Sequence, residues 1–458
     1  MLESLSLKNF KSWAEVEDLR LSRITGFFGT NSSGKTSLLQ MILLLKQTAE
    51  VSDRSLPLDL GDEKSLVELG TFKDVLHGHD LSKSLEWSLR WTLARPLVVA
   101  DPEHPTARLM EGSDLRLTAE VAWKNSSGPG RMFTRRFGYD FAGQTFTVKQ
   151  KTEKKDEYEL TSRGTSFKFK RALGRAWPLP APVKSYGFPD QVRAYFQNAG
   201  FLSDLELAFE NMLKNVFYLG PLREYPRRQY TWAGGNPSDM GRRGEKVVDS
   251  LLASRDRGKT IKYGKGRGAI SLTVEEQVGS WLKELGLVHS FEVRPVAADS
   301  KLYEVMVRRS EHSAPVLITD VGFGVSQILP VLTLCYYAPK GATLIFEQPE
   351  IHLHPSVQAG LADVFIHATK VRGVQIILES HSEHLLRRLQ RRIAEEVITS
   401  HETALYFSHM ADDRSEITPL DLDLFGSIKN WPKDFFGDEL GEVAATQQAI
   451  INRKRGRS

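Results

Sequence analysis

Eight consecutive residues, Gly29-Thr30-Asn31-Ser32-Ser33-Gly34-Lys35-Thr36, fit the pattern G-x-x-x-x-G-K-[ST] in full. The glycines let the backbone curl so that successive N–H groups face phosphate oxygens, and a helix starting there adds a favourable field. Lys35 would neutralise the β- and γ-phosphates of a nucleotide, and Thr36 would place a hydroxyl on Mg²⁺. Ser37 extends this row of candidate nucleotide contacts. Far downstream, the apolar run Ala342 to Phe346 leads into Glu347, Gln348, Pro349 and Glu350. One carboxylate at the end of such a strand can hold Mg²⁺ through water, and a second can polarise an attacking water.

These groups need elements to hold them. Arg23 to Phe28 reads as a buried strand running into the glycine loop, and Thr36 to Gln47 as the apolar helix that follows. Leu2 to Phe10 alternates apolar and polar residues, which predicts a half-buried first strand. Between Ser84 and Thr161, period-two runs separated by Gly, Pro, Asn and Ser clusters predict antiparallel hairpins. Proline-rich Trp177 to Pro189 reads as a connection, and Gln191 to Asn215 and Val274 to Leu287 as helices around a Gly- and Arg-rich stretch. Strands are expected over Phe291 to Arg308. After that, strands at Gly341–Phe346, Val374–Leu378 and Thr403–His409 alternate with helices at Ser356–Thr369 and Glu383–Ile398. That alternation is the second half of an α/β sheet.

The ordered motifs make the chain resemble ABC-type ATPases of the SMC, RecF and OLD group, over roughly 1–80 and 315–410. That group has hydrophobic-Asp-Glu-Pro-Glu followed by a Leu-His-Pro turn. Here Glu347 stands at the metal-binding Asp, Gln348 at the catalytic Glu, and Leu353-His354-Pro355 supplies the turn that would cross a dimer interface. Glutamine can orient water but cannot take its proton, so either turnover is slow or Glu350 serves as base. Val321-Gly322-Phe323-Gly324-Val325-Ser326-Gln327 is similar to the signature loop, whose serine, Ser326, would reach the γ-phosphate held by a partner copy. Glu379-Ser380-His381-Ser382 falls where the group has its switch histidine, His381. The glutamine that these ATPases carry after the phosphate loop is missing, since no Gln lies between Gln47 and Gln144; Asp74 is a substitute candidate near the metal.

The resemblance implies an α/β fold: an ABC-type P-loop ATPase head with a split nucleotide-binding domain, an antiparallel β subdomain and a helical insertion. The expected division is an N-terminal lobe at 1–175, an Arg/Gly-rich helical insertion at 176–290, a C-terminal lobe at 291–425 and a tail at 426–458. ATP and Mg²⁺ are the implied cofactors, with ATP sandwiched in a homodimer or higher homo-oligomer. The wording EQPEIHLHP, ESHSEHLLRRLQRRIAEE and NWPKDFF further resembles stand-alone bacterial ATPases of two-gene anti-phage systems of the PARIS and Septu kind. In those, the ATPase senses or scaffolds and a separate effector protein carries the toxic activity. The rival expectation is an SMC- or RecF-like ATPase that clamps DNA.

Composition bounds these readings. A formal net charge of +4 over 458 residues does not support a chain that is basic all over, so any nucleic-acid footprint is local. Arg255 to Gly268 holds six basic residues against one acidic and could line a phosphate-backbone groove or form a solvated loop. Arg223, Arg227 and Arg228 form a second cluster that could meet nucleotide, partner or carboxylates. Asp421 and Asp423 have the letters of a nuclease site, but too few residues follow His381 for such a domain, which favours a surface turn. The lone Cys335, the lack of a basic-then-apolar leader and an apolar run at 328–338 well short of a span of about 20 predict a cytoplasmic protein without membrane contact. Asn452 to Ser458 reads as a frayed tail.

Overall fold

The computed structural model describes residues 1–455 apart from 101–107, 126–129, 153–154, 165–166, 175–176, 264–269, 433–434 and 437–438. The chain opens with the hairpin β1 (Leu2–Phe10) and β2 (Trp13–Arg20), then the fully buried β3 (Ile24–Gly29) and α1 (Lys35–Glu50). The one-turn α2 (Phe72–Val75) precedes five long antiparallel strands: β4 (Leu85–Ala100), β5 (Arg108–Lys124), β6 (Arg131–Phe141), β7 (Gln144–Thr152) and β8 (Lys155–Arg163). Next come α3 (Gln191–Tyr195), α4 (Leu202–Lys214), β9 (Val216–Leu219), β10 (Tyr230–Thr231), α5 (Val247–Asp256), β11 (Thr260–Tyr263), β12 (Ile270–Thr273) and α6 (Val274–Glu284). The last third runs β13 (Ser290–Pro295), β14 (Leu302–Arg308), β15 (Val316–Leu317), α7 (Phe323–Tyr337), β16 (Thr343–Glu347), α8 (Pro355–Arg372) and β17 (Gln375–Glu379). It closes with α9 (Glu383–Ala394), β18 (Thr403–Ala411), β19 (Arg414–Pro419) and α10 (Glu439–Arg455).

Two large sheets organise the molecule. The first is antiparallel, in the order β2-β1-β4-β5-β6-β7-β8; the second has the order β19-β18-β3-β17-β16-β9 and is parallel except for β19. In the second sheet β3 lies between β17 and β18, so segments from both ends of the chain share one sheet. The domain built on this parallel sheet is therefore split along the chain, as the α/β expectation has it. Helix α1, with twelve buried residues including Leu38, Leu39 and Met41 to Leu45, packs in one core with Trp13, Trp87, Trp91 and Phe209. Helices α5 to α9 cover the opposite face of the parallel sheet through a second core. A parallel sheet buried on both faces needs continuous apolar strands, which the entirely buried β3, β16 and β17 provide.

The structure departs from the sequence reading in several places. The single helix expected over 191–215 is two, broken at Asn198-Ala199-Gly200 between α3 and α4. The Gly- and Arg-rich stretch contains α5, and β2 and β9 were not anticipated. In β2 a register shift of β1 between Leu5 and Leu7, with Asp18 at φ 42°, breaks the period-two pattern. Part of the expected tail packs firmly: Phe435 is buried against Phe28 and Phe407, and Trp431 lies under Arg387. No helix among the described residues is long and apolar enough to cross a membrane.

Candidate functional site

The carboxyl ends of β3, β16 and β17 point to one region, where ligands of open α/β sheets bind. Gly29 leaves β3 at φ 136°, and a Cβ on it would sit 1.9 Å from the Ser408 carbonyl oxygen of β18. Gly34 has φ 83° and is crowded by the Ser415 and Ser12 hydroxyls. Only glycine fits either position. The loop between them is tied from outside: the Ser408 hydroxyl donates to the Ser33 carbonyl, and Trp13 Nε1 donates to the Gly34 carbonyl at 3.0 Å. Thr30, Asn31 and Ser32 are exposed at its tip, while Ser33, Lys35 and Ser37 are buried. Lys35 Nζ donates to the carbonyls of Thr30 (2.6 Å) and Gly29 (3.2 Å), and burial lowers its pKa. A buried ammonium held by carbonyl dipoles suits a phosphate, whose full charge would satisfy it better.

Opposite the loop stands a wall of carboxylates. Glu347 ends β16 and Glu379 ends β17; the two are register partners in adjacent parallel strands, and both are buried. The Thr36 hydroxyl donates to Glu379 Oε2 at 2.7 Å, and the Tyr218 hydroxyl from β9 donates to Glu347 Oε1 at 2.9 Å. Burial, with the Glu379 charge adding to it, pushes the Glu347 carboxyl up to about 7, and burial raises Glu379 also. Arg223 is buried beside Glu347. Its Nη2 donates to the Glu347 carbonyl at 3.4 Å, while Nε and Nη1 have no hydrogen-bond partner among the described residues. Burial lowers its guanidinium to about 10. Lys11, in the β1–β2 turn, donates to Gln40 at 2.6 Å and feels the Glu347 charge.

The turn after β16 sets the remaining candidates. Gln348 is half-buried at φ 43°, with its N–H on the Glu379 carbonyl at 2.9 Å. Glu350 is buried, and its Oε1 accepts from the His381 backbone N–H at 2.7 Å, so this carboxylate braces the loop that carries His381. Burial raises the Glu350 carboxyl. Burial first and the nearby Lys35 charge second lower the pKa of His381.

Other candidates lie apart. Ser326 sits within the first turn of α7, buried, its hydroxyl turned back to the Phe323 carbonyl at 2.7 Å; Gly322 and Phe323 are the exposed residues at that helix start. Asp74 is engaged within its own turn. Its carboxylate accepts from the Thr71 N–H and hydroxyl at 2.8 and 2.7 Å and caps α2. Arg227 and Arg228 are exposed and paired with Glu224 and Asp320, so only Arg223 of that cluster meets the site. Asp423 caps a surface turn through the Phe425 and Ser427 N–H groups. Of the basic stretch, Arg255 is paired with Glu275 and Lys259 lies over Tyr337; 264–269 and the tail residues 456–458 fall outside the described residues.

Sequence reading assigned no role to Glu379, Tyr218 or Lys11. Glu379 had a signal, a carboxylate ending the strand just before His381, as Glu347 ends its own. Tyr218 had none, because β9 went unrecognised. The donor set fits a magnesium-bound nucleotide. Two buried carboxylates that repel each other beside a hydroxyl are relieved by a divalent cation. Among the described residues no group of three or more His, Cys, Asp or Glu could hold a metal, so an ion here would complete its shell with phosphate oxygens and water, as Mg²⁺ does.

Residues 1–169 match the family model described as "AAA ATPase domain", and residues 178–387 the one described as "AAA domain, putative AbiEii toxin, Type IV TA system". Residues 398–445 match a "Protein of unknown function (DUF3696)". No curated protein matches the sequence. Among solved structures, an Smc head bound to the C-terminal winged-helix domain of ScpA is 13% identical, covering 92% of this chain and 98% of that one, with a TM-score of 0.45. The SMC head domain from Thermotoga maritima is 12% identical over 92% and 99% of the two chains, with a TM-score of 0.40. An Smc head from Pyrococcus furiosus bound to the C-terminal domain of ScpA gives 11%, 92%, 96% and 0.43 in the same order. Both of the longer matches are to ATPase-domain models, and the phosphate loop with its facing carboxylates is the site of a P-loop ATPase.

Proposed function

We propose that the chain binds and hydrolyses ATP with Mg²⁺ between two copies of itself, and that the nucleotide state of this assembly controls a separate effector protein in bacterial anti-phage defence. The observation that carries the ATPase reading is the placement of Lys35 and Thr36 against Glu379, the register partner of Glu347. In it, Gly29 to Ser33, Gly34 and Ser37 cradle the phosphates through N–H groups and hydroxyls, and Lys35 neutralises them. Thr36 and Glu347 hold the metal, whose charge would stabilise the one building on the transferred phosphoryl group. His381 contacts the γ-phosphate, and Ser326 meets it from the partner copy. Gln348 orients water but cannot take its proton, so turnover is slow unless Glu350 leaves its bond to His381 and serves as base.

Steady-state ATP hydrolysis by wild type, Lys35→Ala, Glu350→Gln and Gln348→Glu tests this, with oligomeric state recorded alongside. Turnover abolished by the first two substitutions supports an active site with a displaced base. Activity that appears only in Gln348→Glu would make the wild type a nucleotide-locked scaffold, and no nucleotide binding at all would sink the reading.

The defence role draws support from the description of the model matched by 178–387, which names an AbiEii-type toxin. Recovery of an unrelated protein on the tagged chain, released on phage challenge, is the expected result. DNA binding that weakens with salt and is lost when the basic residues from Arg255 to Arg267 are neutralised would favour the clamp alternative.

A further inference from the structure

An ATPase of this kind needs a second protein group near the metal, and the residue considered for it is committed elsewhere. The chain has no glutamine between Gln47 and Gln144, and Asp74 is bonded to Thr71. Strand β17 lies between β3 and β16, with Glu379 in register with both Phe27 of β3 and Glu347 of β16. The strand order therefore places position 379 between the phosphate loop and Glu347. Glu379 accepts the Thr36 hydroxyl, while Glu347 is held by Tyr218 on its far side, toward β9. Resting on the ATP-binding reading above, we propose that Glu379 is the second metal-holding carboxylate of this site, supplied by β17 in place of the missing glutamine.

Physical chemistry separates this from a merely structural role. If Glu379 only accepted the Thr36 hydrogen bond, a neutral amide of the same shape would serve equally, since its carbonyl accepts too. If its charge holds the ion, the amide fails. A structural carboxylate would also be an expensive choice: it is buried next to another carboxylate, and two like charges withdrawn from water destabilise the fold unless a cation joins them. A glutamine here would avoid that cost, so the charge points to the ion.

The test uses the full chain with Mn²⁺ as a spectroscopic probe for Mg²⁺. ATP affinity is measured in EDTA and with metal, and Mn²⁺ binding to the protein–ATP complex is followed by electron paramagnetic resonance. Glu379→Gln should bind ATP in EDTA within about twofold of wild type and bind Mn²⁺ about ten- to a hundredfold more weakly. Its melting temperature without metal should match or exceed wild type, which verifies folding and reads out the relieved repulsion. Glu379→Asp should recover part of the Mn²⁺ affinity. Wild-type Mn²⁺ affinity in Glu379→Gln would overturn the inference, and so would an equal loss of ATP affinity in EDTA, which marks a support for the loop. Failure of wild type to bind ATP under either condition would instead remove the nucleotide reading, and this inference with it.

Discussion

The phosphate loop and the carboxylate wall face each other across a few ångströms of site yet are built on different plans. The loop is eight consecutive residues, shaped by two glycines that nothing else could replace and exposed at its tip. The wall takes Tyr218 and Arg223 from the middle of the chain, and Glu347 and Glu379 from the ends of two later strands, all of it buried. Local sequence dictates the first; sheet order alone assembles the second. Two departures from the pattern the chain resembles, Glu347 and Gln348, lie at the wall and just after it, where a change in one strand can be met by a group from the next.

Removing the loop's charge breaks the comparison most severely. Lys35→Ala should lower ATP hydrolysis at least about 100-fold, because it removes a buried cation held at the phosphate loop and aimed at developing phosphate charge. The fold should hold, since Lys35 bonds only to carbonyls of its own loop and to the Ser33 hydroxyl. Nucleotide titration and a melting curve on one sample check both parts; retained turnover would move the chemistry away from this loop.

Arg223 tests the wall. A guanidinium buried with two unpartnered nitrogens costs stability, of order 1–3 kcal/mol, so packing alone does not explain it. Arg223→Met should stay within about 1 kcal/mol of wild type or exceed it, as apolar replacements of poorly paired buried charges often do. Hydrolysis should still fall about tenfold through kcat, the signature of a group acting on the reacting phosphate or its carboxylates. A variant that unfolds would instead make Arg223 a structural partner of Glu347. Tyr218→Phe is a milder probe of the same wall: losing one bond to Glu347 should cost about 1 kcal/mol in urea denaturation, whereas no change would mean that Glu347 finds another donor.

What sequence made legible follows the same division. The phosphate loop, β1 with both its ends, the parallel strands β3, β16, β17 and β18 and the helices α1, α8 and α9 could be read because each carries its own periodicity or motif. Their joining into one sheet depended on resemblance, since nothing local in Ile24–Gly29 says that its neighbours lie more than 300 residues downstream. The four residues of β9 are too short for any period to register, and with β9 unseen, Tyr218 was unseen too. Arg223 looked like its exposed neighbours Arg227 and Arg228 because burial is not written in a run of arginines. Asp74 stands at a loop position that suits a metal ligand, while its Thr-x-x-Asp spacing is also that of a capping box, the bond the structure shows.

The smallest effect sharpens the comparison by pH. Glu206 on α4 is pushed up to about 7 by burial, with a smaller push from the Glu210 charge, opposed by the Phe188 N–H and the Arg193 charge. Glu347 reaches about 7 as well, but with the Glu379 charge as a second cause. A carboxyl raised on folding holds a proton in the folded chain that the unfolded chain has released. Each such group therefore adds stability that is complete below the ordinary carboxylate range and is lost as pH rises through about 7. Urea midpoints without nucleotide should accordingly fall between about pH 5 and pH 8. Glu206→Gln should remove its share of that slope whether or not Mg²⁺ and ATP are present, because no cation is drawn to it. The share belonging to Glu347 should vanish in wild type when Mg²⁺ and ATP are added, since a bound cation favours the charged form. An identical slope in wild type with and without Mg²⁺–ATP would mean that the wall does not meet the metal, and the two carboxylates would then be alike after all.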